Sequence, residues 1–174
     1  MLKRIIMNII ETKHNDYTYY ITINRPKQLN ALNKQIISEL NNTINQAIKK
    51  KDVKCIVITG SGNKAFVAGA DIKEFSHFNK KEGEQLSREG QKNLFDLIAN
   101  SSKPIIASIN GFALGGGLEL AMACHIRVAS NTAKMGLPET SLGLIPGYGG
   151  TQRLAELIGK GRAMEMVVTA KMIS

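Results

Sequence analysis

The sequence has no tryptophan, only two cysteines, four prolines and three histidines in 174 residues, and aromatic residues make up 5% of it. Cys55 and Cys124 lie far apart in apolar surroundings, which excludes a disulfide framework; no CxxC or Cys/His cluster suggests a metal site. His14, His77 and His125 are scattered, so no zinc centre is expected from them. No apolar run reaches the length of a membrane span, and the apolar start is broken at Asn8 without a small-residue cleavage site. The expected location is therefore cytoplasmic, with no membrane partner. The motifs of P-loop hydrolases, of serine hydrolases with a G-x-S-x-G elbow and of HExxH metalloproteases are all missing.

What is present is a globular composition, 43% hydrophobic and 21% charged, of a size that suits one domain. The formal charge is +9, carried mostly by residues 1–104 and without a continuous basic tract. Such a surface attracts phosphate-bearing partners at long range without saying whether the phosphates belong to nucleic acid or to a small molecule. Lys49, Lys50, Lys51 and Lys54 form the densest basic cluster. They are read as complementing the negative C-terminus of a helix, since no aromatic platform for bases lies nearby; nucleic acid is not the expected partner.

Residues 5–11 and 17–24 read as strands joined by a turn at His14-Asn15-Asp16. Ile36, Ile37, Leu40, Ile44, Ala47 and Ile48 fall at helical spacing and predict a helix over residues 33–50 with one buried stripe. Residues 55–59 form a strand run, residues 82–100 a second amphipathic helix, and residues 105–109 a strand that closes on Asn110-Gly111. The alternation predicts an α/β layered domain. Gly60-Ser61-Gly62-Asn63-Lys64-Ala65 matches the spacing of a dinucleotide fingerprint, but no helix begins there, so the match carries no weight.

Eleven of the 16 glycines fall within residues 111–161, interleaved with apolar stretches that a linker would not have. Glycine at that density implies tight turns or close backbone approach to a ligand. Glu119 follows Gly115-Gly116-Gly117 among Leu118, Leu120, Ala121, Met122 and Ala123, and so lies either on a narrow wet face or in a pocket. Glycines at a helix start leave backbone N–H groups bare, an arrangement suited to a developing negative charge. Glu139, in a Gly/Pro-flanked turn, is a second isolated carboxylate. Two carboxylates facing one cleft can divide into acid and base.

Gly69-Ala70-Asp71, Asn110-Gly111 with Gly115-Gly116-Gly117, and Pro146-Gly147-Tyr148-Gly149-Gly150-Thr151-Gln152-Arg153-Leu154, in this order, closely resemble the enoyl-CoA hydratase/isomerase (crotonase) family. The likeness extends from Asn24-Arg25-Pro26 and Asn30-Ala31-Leu32 to the end of the chain. It implies a crotonase-like core of repeated ββα units wound as a spiral, spanning residues 1–174 as a single domain that stops before the family's C-terminal helices. It also implies that Glu119 and Glu139 are the two catalytic glutamates and that the N–H groups of Ala70 and Gly116 form the oxyanion hole. Ala68, Ala70, Asp71, Ile72, Lys73 and Gly116 match the substrate-binding stretches.

The implied reaction is addition of water across the 2,3 double bond of a trans-2-enoyl-CoA. Coenzyme A belongs to the substrate, no metal or separate cofactor is needed, and a homo-oligomer, trimer or hexamer, is implied if the family's C-terminal segment is supplied. Having both glutamates favours hydratase over a Δ3,Δ2-enoyl-CoA isomerase; a branched-enoyl-CoA hydratase and a non-catalytic acyl-CoA- or RNA-binding remnant are the alternatives. His125 stands where the family usually has Asp, and Leu137-Pro138 where hydratases often have Gln-Pro. Gly116→Pro is expected to be catastrophic, and Gly116→Ala to be tolerated in the chemistry but not sterically.

Overall fold

The computed structural model describes residues 8–174. The first hairpin pairs β1 (Ile10–Asn15) antiparallel with β2 (Thr18–Ile23), in register from Ile10↔Ile23 to Asn15↔Thr18. The turn is Asp16-Tyr17, with Asp16 at φ +51, rather than His14-Asn15-Asp16. The expected strand start, residues 5–7, lies outside the described residues. Only Ile10 of β1 is buried, and an edge strand bathed in solvent shows no apolar alternation to mark its extent.

After a 3₁₀ turn at Pro26–Gln28, α1 (Lys34–Lys49) starts at Asn33, whose side chain accepts from Ile36 N at 2.9 Å. Ile36, Ile37, Leu40, Ile44 and Ala47 are buried along one stripe, as their spacing requires. The C-terminus of α1 is completed by Lys103, whose Nζ reaches Ala47 O at 3.0 Å and also Lys50 O, and not by the Lys49–Lys54 cluster alone. Lys50 instead lies over the Tyr19 ring, 4.8 Å from its centroid.

The remainder repeats one unit three times. β3 (Cys55–Gly60), β5 (Ile105–Ile109) and β7 (Ile126–Ala129) join β2 in a five-stranded sheet ordered β1-β2-β3-β5-β7, parallel from β2 onward. Each is followed by a strand of a second parallel sheet: β4 (Ala65–Ala68), β6 (Phe112–Leu114) and β8 (Lys134–Gly136). Helical segments leave each pair. They are α2 (Ile72–Phe75) and α3 (Lys80–Gly90) after β4, α5 (Gly116–Ala123) after β6, and α6 (Gly150–Ile158) with α7 (Lys160–Thr169) after β8. This is the spiral of ββα units. The helix expected over residues 82–100 starts at Lys80 under an Asn79–Glu82 capping box; a π segment, Gln91–Phe95, separates it from α4 (Asp96–Ala99).

Ile21, Ile23, Ile56, Ile58, Ile105 and Ala107, alternating along the central strands, join α1 and the buried face of the residue 91–98 segment in the main core. A second cluster, Leu118, Met122, Leu137, Leu154, Ala163 and Met166, ties α5 to α6 and α7.

Asn30 locks the turn between the sheets. It is fully buried at φ +57, and its Nδ2 donates to Ala65 O at 2.8 Å and Ser61 O at 3.1 Å while Oδ1 accepts from Arg25 N at 3.0 Å. Asn30→Ala strands these groups and places a Cβ-only residue in a left-handed conformation, so a loss of about 2–4 kcal/mol is expected. Urea unfolding should show it as a lower midpoint with unchanged slope; a midpoint within error of the parent would refute this role.

Candidate active site

Helix α5 begins where β6 ends, and its first turn is shaped by Gly115. That residue has φ +50 and ψ −124, which only glycine adopts readily, and a Cβ there would lie 2.6 Å from Glu139 Oε1. The turn brings the bare N-terminus of α5 against the end of β4. Leu32 N donates to Gly69 O at 2.9 Å and Asp71 N donates to Leu32 O at 2.7 Å, so the intervening N–H of Ala70 points away from Leu32. Its nitrogen lies close to Gly116: a Cβ at that glycine would be 3.6 Å from Ala70 N. Among the described residues, neither the Ala70 nor the Gly116 N–H donates a hydrogen bond in the turns, loops and caps.

Glu119, one turn into α5, is 1% exposed and thus in a pocket, not on a wet face. Its Oε1 accepts from Tyr148 N at 2.8 Å and Gly150 N at 2.7 Å. The loop that provides both amides closes over the helix because Gly149 takes φ +79, a backbone concavity that holds an anion between alternate N–H groups. Burial pushes the Glu119 carboxyl from 4.5 up to about 7; the Gly150 and Tyr148 amides hold it down, the nearby Glu139 charge pushes it further up, and Arg153 lowers it.

Glu139 enters from the 3₁₀ turn Pro138–Leu142. Its carboxyl is also raised, by burial first, with its own N–H opposing, and its Oε2 is buried without a partner among the described residues. An unpartnered buried acceptor invites a hydrogen-bonding ligand. The structure thus brings together four of the residues singled out from sequence: Glu119, Glu139, Ala70 and Gly116.

The other expected binding residues lie at the rim. Ala68 is half-buried at the end of β4, and Ile72 and Lys73 are exposed at the start of α2. Asp71 is engaged internally: its Oδ2 pairs with Arg25 at 3.0 Å, and Oδ1 caps α2 from Lys73 N at 3.3 Å. His125 is exposed on the far side of α5, where its Nδ1 accepts from Ile105 N at 3.0 Å, a strand-end contact. Among the described residues no group of three or more His, Cys, Asp or Glu side chains is placed to hold a metal ion, and no helix is long and apolar enough to cross a membrane.

The expectation that Gly116→Ala fails sterically is corrected. A Cβ at Gly116 meets Ala70 N, Tyr148 Cδ2 and Leu32 Cδ1 at 3.6–3.7 Å, which is ordinary contact, whereas one at Gly117 would sit 1.9 Å from Val67 O. Sequence reasoning also gave no role to Tyr148, Gly150 or Arg153, although the run of glycines around Tyr148 marked a backbone shaped for close approach.

The enoyl-CoA hydratase/isomerase family model matches residues 13–174. The chain belongs to this family. It is 48% identical over 153 residues to the short-chain-enoyl-CoA hydratase of Clostridium acetobutylicum, covering 88% of this chain and 58% of that protein. It is likewise 48% identical to the crotonyl-CoA hydratase of Syntrophomonas wolfei, covering 87% of this chain and 58% of that protein. Among solved structures, the enoyl-CoA hydratase from Bacillus anthracis superposes with a TM-score of 0.91 at 39% identity, covering 96% of this chain and 65% of that one. The chain therefore spans somewhat under two thirds of the length of these relatives.

Proposed function

We propose that the site hydrates trans-2-enoyl-CoA thioesters to 3-hydroxyacyl-CoA. The observation that carries this reading is the convergence of two buried carboxyls, Glu119 and Glu139, beside the Ala70 and Gly116 amides, which donate to no turn, loop or cap among the described residues. Relatives named as hydratases support it.

In this scheme the thioester oxygen accepts from Ala70 N–H and Gly116 N–H. Glu119 removes a proton from water as its oxygen bonds to the β-carbon; the π pair moves onto the thioester as an enolate, and Glu139 then protonates the α-carbon. The pair starts and ends with one proton between them, and exchange through water restores the starting arrangement. Burial favours that proton on Glu119, whereas the scheme reacts from the other tautomer, with Glu139 protonated and Glu119 ionised, which the two amides and Arg153 help to populate. A base near neutrality is well matched to its task. Each preorganised donor at the oxyanion contributes roughly 3–4 kcal/mol to the barrier reduction. The reaction is redox-neutral and draws on no metal in this scheme. The coenzyme A portion leaves the cleft past Ala68, Asp71, Ile72 and Lys73, where Lys73 offers a cation to its phosphates. Exposed Leu144, Ile145, Met164 and Val168 supply apolar surface that self-association would cover, which supports a homo-oligomer.

Hydration of crotonyl-CoA, followed as loss of enoyl absorbance, tests the reading. Turnover should peak where the carboxyl pair holds one proton and fall on either side. Conversion of a 3-enoyl-CoA to its 2-isomer without water addition would replace hydratase by isomerase; binding without either reaction would leave an acyl-CoA-binding remnant.

A further inference from the structure

Glu119 is held by a turn, and the turn is held from behind. The carbonyl of Tyr148 lies between the two amides that clamp Glu119, and Arg153 Nη1 donates to it at 2.6 Å. Arg153 also donates its own N–H to Gly149 O at 2.9 Å at the start of α6. Its side chain is only 15% exposed, and its Nη2 lies 3.8 Å from Asp96 Oδ1. Asp96 is in turn bonded by Gln91 Nε2, at the π segment of the preceding helix. The Tyr148 ring stacks on Phe95, centroids 4.5 Å apart and 12° from parallel, so the turn is fixed on its apolar side as well.

We infer that Arg153 is a positioning residue for Glu119: its guanidinium, seated between the Tyr148 carbonyl and Asp96, fixes the residue 147–150 turn whose amides orient the carboxylate. A planar cation with several donors can bridge a carbonyl and a carboxylate at once; a lysine supplies the charge at one point only. Among the described residues Arg153 is the one cation bonded to this turn; the further side-chain tie from behind is neutral, Ser87 Oγ donating to Gly147 O. Gly147, Gly149 and Gly150 give the turn freedom that must be removed if Oε1 of Glu119 is to meet both amides. The charged or titratable groups facing Glu119 are Glu139, the Tyr148 hydroxyl and Arg153, and of these only Arg153 favours its ionised form.

The catalytic consequence rests on Glu119 being the base; the clamp itself does not. The test therefore has two readouts on the complete chain, with folding checked by circular dichroism. The first is carboxyl ¹³C titration of Glu119, its resonance assigned by loss in Glu119→Gln. The second is kcat and KM for crotonyl-CoA against pH. Arg153→Met should move the Glu119 titration to higher pH and lower kcat by about 10–10²-fold, the scale of a misplaced group, with KM little changed. Arg153→Lys should restore most of the titration and part of kcat. An unchanged Glu119 titration in folded Arg153→Met overturns the inference. If Arg153→Met does not fold, Arg153→Lys decides, since a parental kcat there rejects the bridging role. A shifted titration in a chain that never hydrates crotonyl-CoA supports the clamp and rejects the hydratase reading.

Discussion

Glu119→Gln is expected to lower hydration of crotonyl-CoA by about 10²–10⁴-fold, the scale of a positioned acid or base, while making the folded chain more stable above neutral pH. The amide keeps an oxygen for the Tyr148 and Gly150 N–H groups, which now donate at 2.8 and 2.7 Å, so the turn retains its anchor. What is lost is the ionisable group. Folding raises the Glu119 carboxyl from 4.5 to about 7. The folded state therefore binds this proton more tightly than the unfolded chain, and the associated stability is fully present below pH 4.5 and lost as pH rises through about 7. The cost of ionising the buried group by pH 8–9 is on the order of 2–3 kcal/mol. A glutamine does not bear it. Thermal unfolding should show Glu119→Gln and the parent alike near pH 4.5 and the variant melting higher at pH 8.5. Equal melting at both would remove the burial argument, and parental turnover would remove the base. Glu139→Gln should lose hydration to a similar extent, with acyl-CoA binding retained in both variants as measured by calorimetry.

Gly117→Ala should prevent folding outright. The first turn of α5 presses on β4 so closely that a methyl at residue 117 would stand 1.9 Å from Val67 O and 2.7 Å from its carbonyl carbon. Both contacts are with backbone, which has no flexible end to swing aside; Val67 belongs to the main core and Leu118, next to Gly117, to the second cluster. A cost above about 4–5 kcal/mol is expected, comparable to the whole stability of a small domain. Gly116→Ala makes the control: its methyl meets neighbours at 3.6 Å and beyond. That variant should fold with a melting temperature near the parent's yet hydrate poorly, because the methyl occupies the gap proposed for the substrate oxygen beside Ala70 N. Soluble, cooperatively melting Gly117→Ala protein would show that α5 can move off β4.

The two variants separate what a motif carries from what packing carries. In the sequence, Gly115, Gly116 and Gly117 are one undivided run. The structure gives them three tasks: a backbone twist beside Glu139, a free donor facing Ala70, and room for Val67. Such distinctions depend on which atoms lie opposite each α-carbon, and spacing along the chain holds no record of that.

The chain order itself fixed a great deal. Apolar residues three and four apart from Ile36 to Ala47 permit only one buried helical face, and the alternation in residues 55–59 and 105–109 sets strands with a defined inner side, because side-chain periodicity is a local property. For Glu119 the apolar neighbours left a narrow wet face or a pocket, and its burial in the structure decides for the pocket. By contrast, the exposed strand β1 has no apolar alternation to mark its extent, and the buried Leu94 and Phe95 read as ordinary helix, without a sign of the π segment at Gln91–Phe95. The proximity of Glu139 to Glu119, the pairing of Asp71 with Arg25 and the hold of Arg153 on the Tyr148 carbonyl join residues 5 to 46 positions apart. The Arg153 contact is set by the turn into α6, whereas the winding of the ββα units brings Glu139 to Glu119 and Asp71 to Arg25, and burial in that spiral is the main cause that raises the two carboxyls.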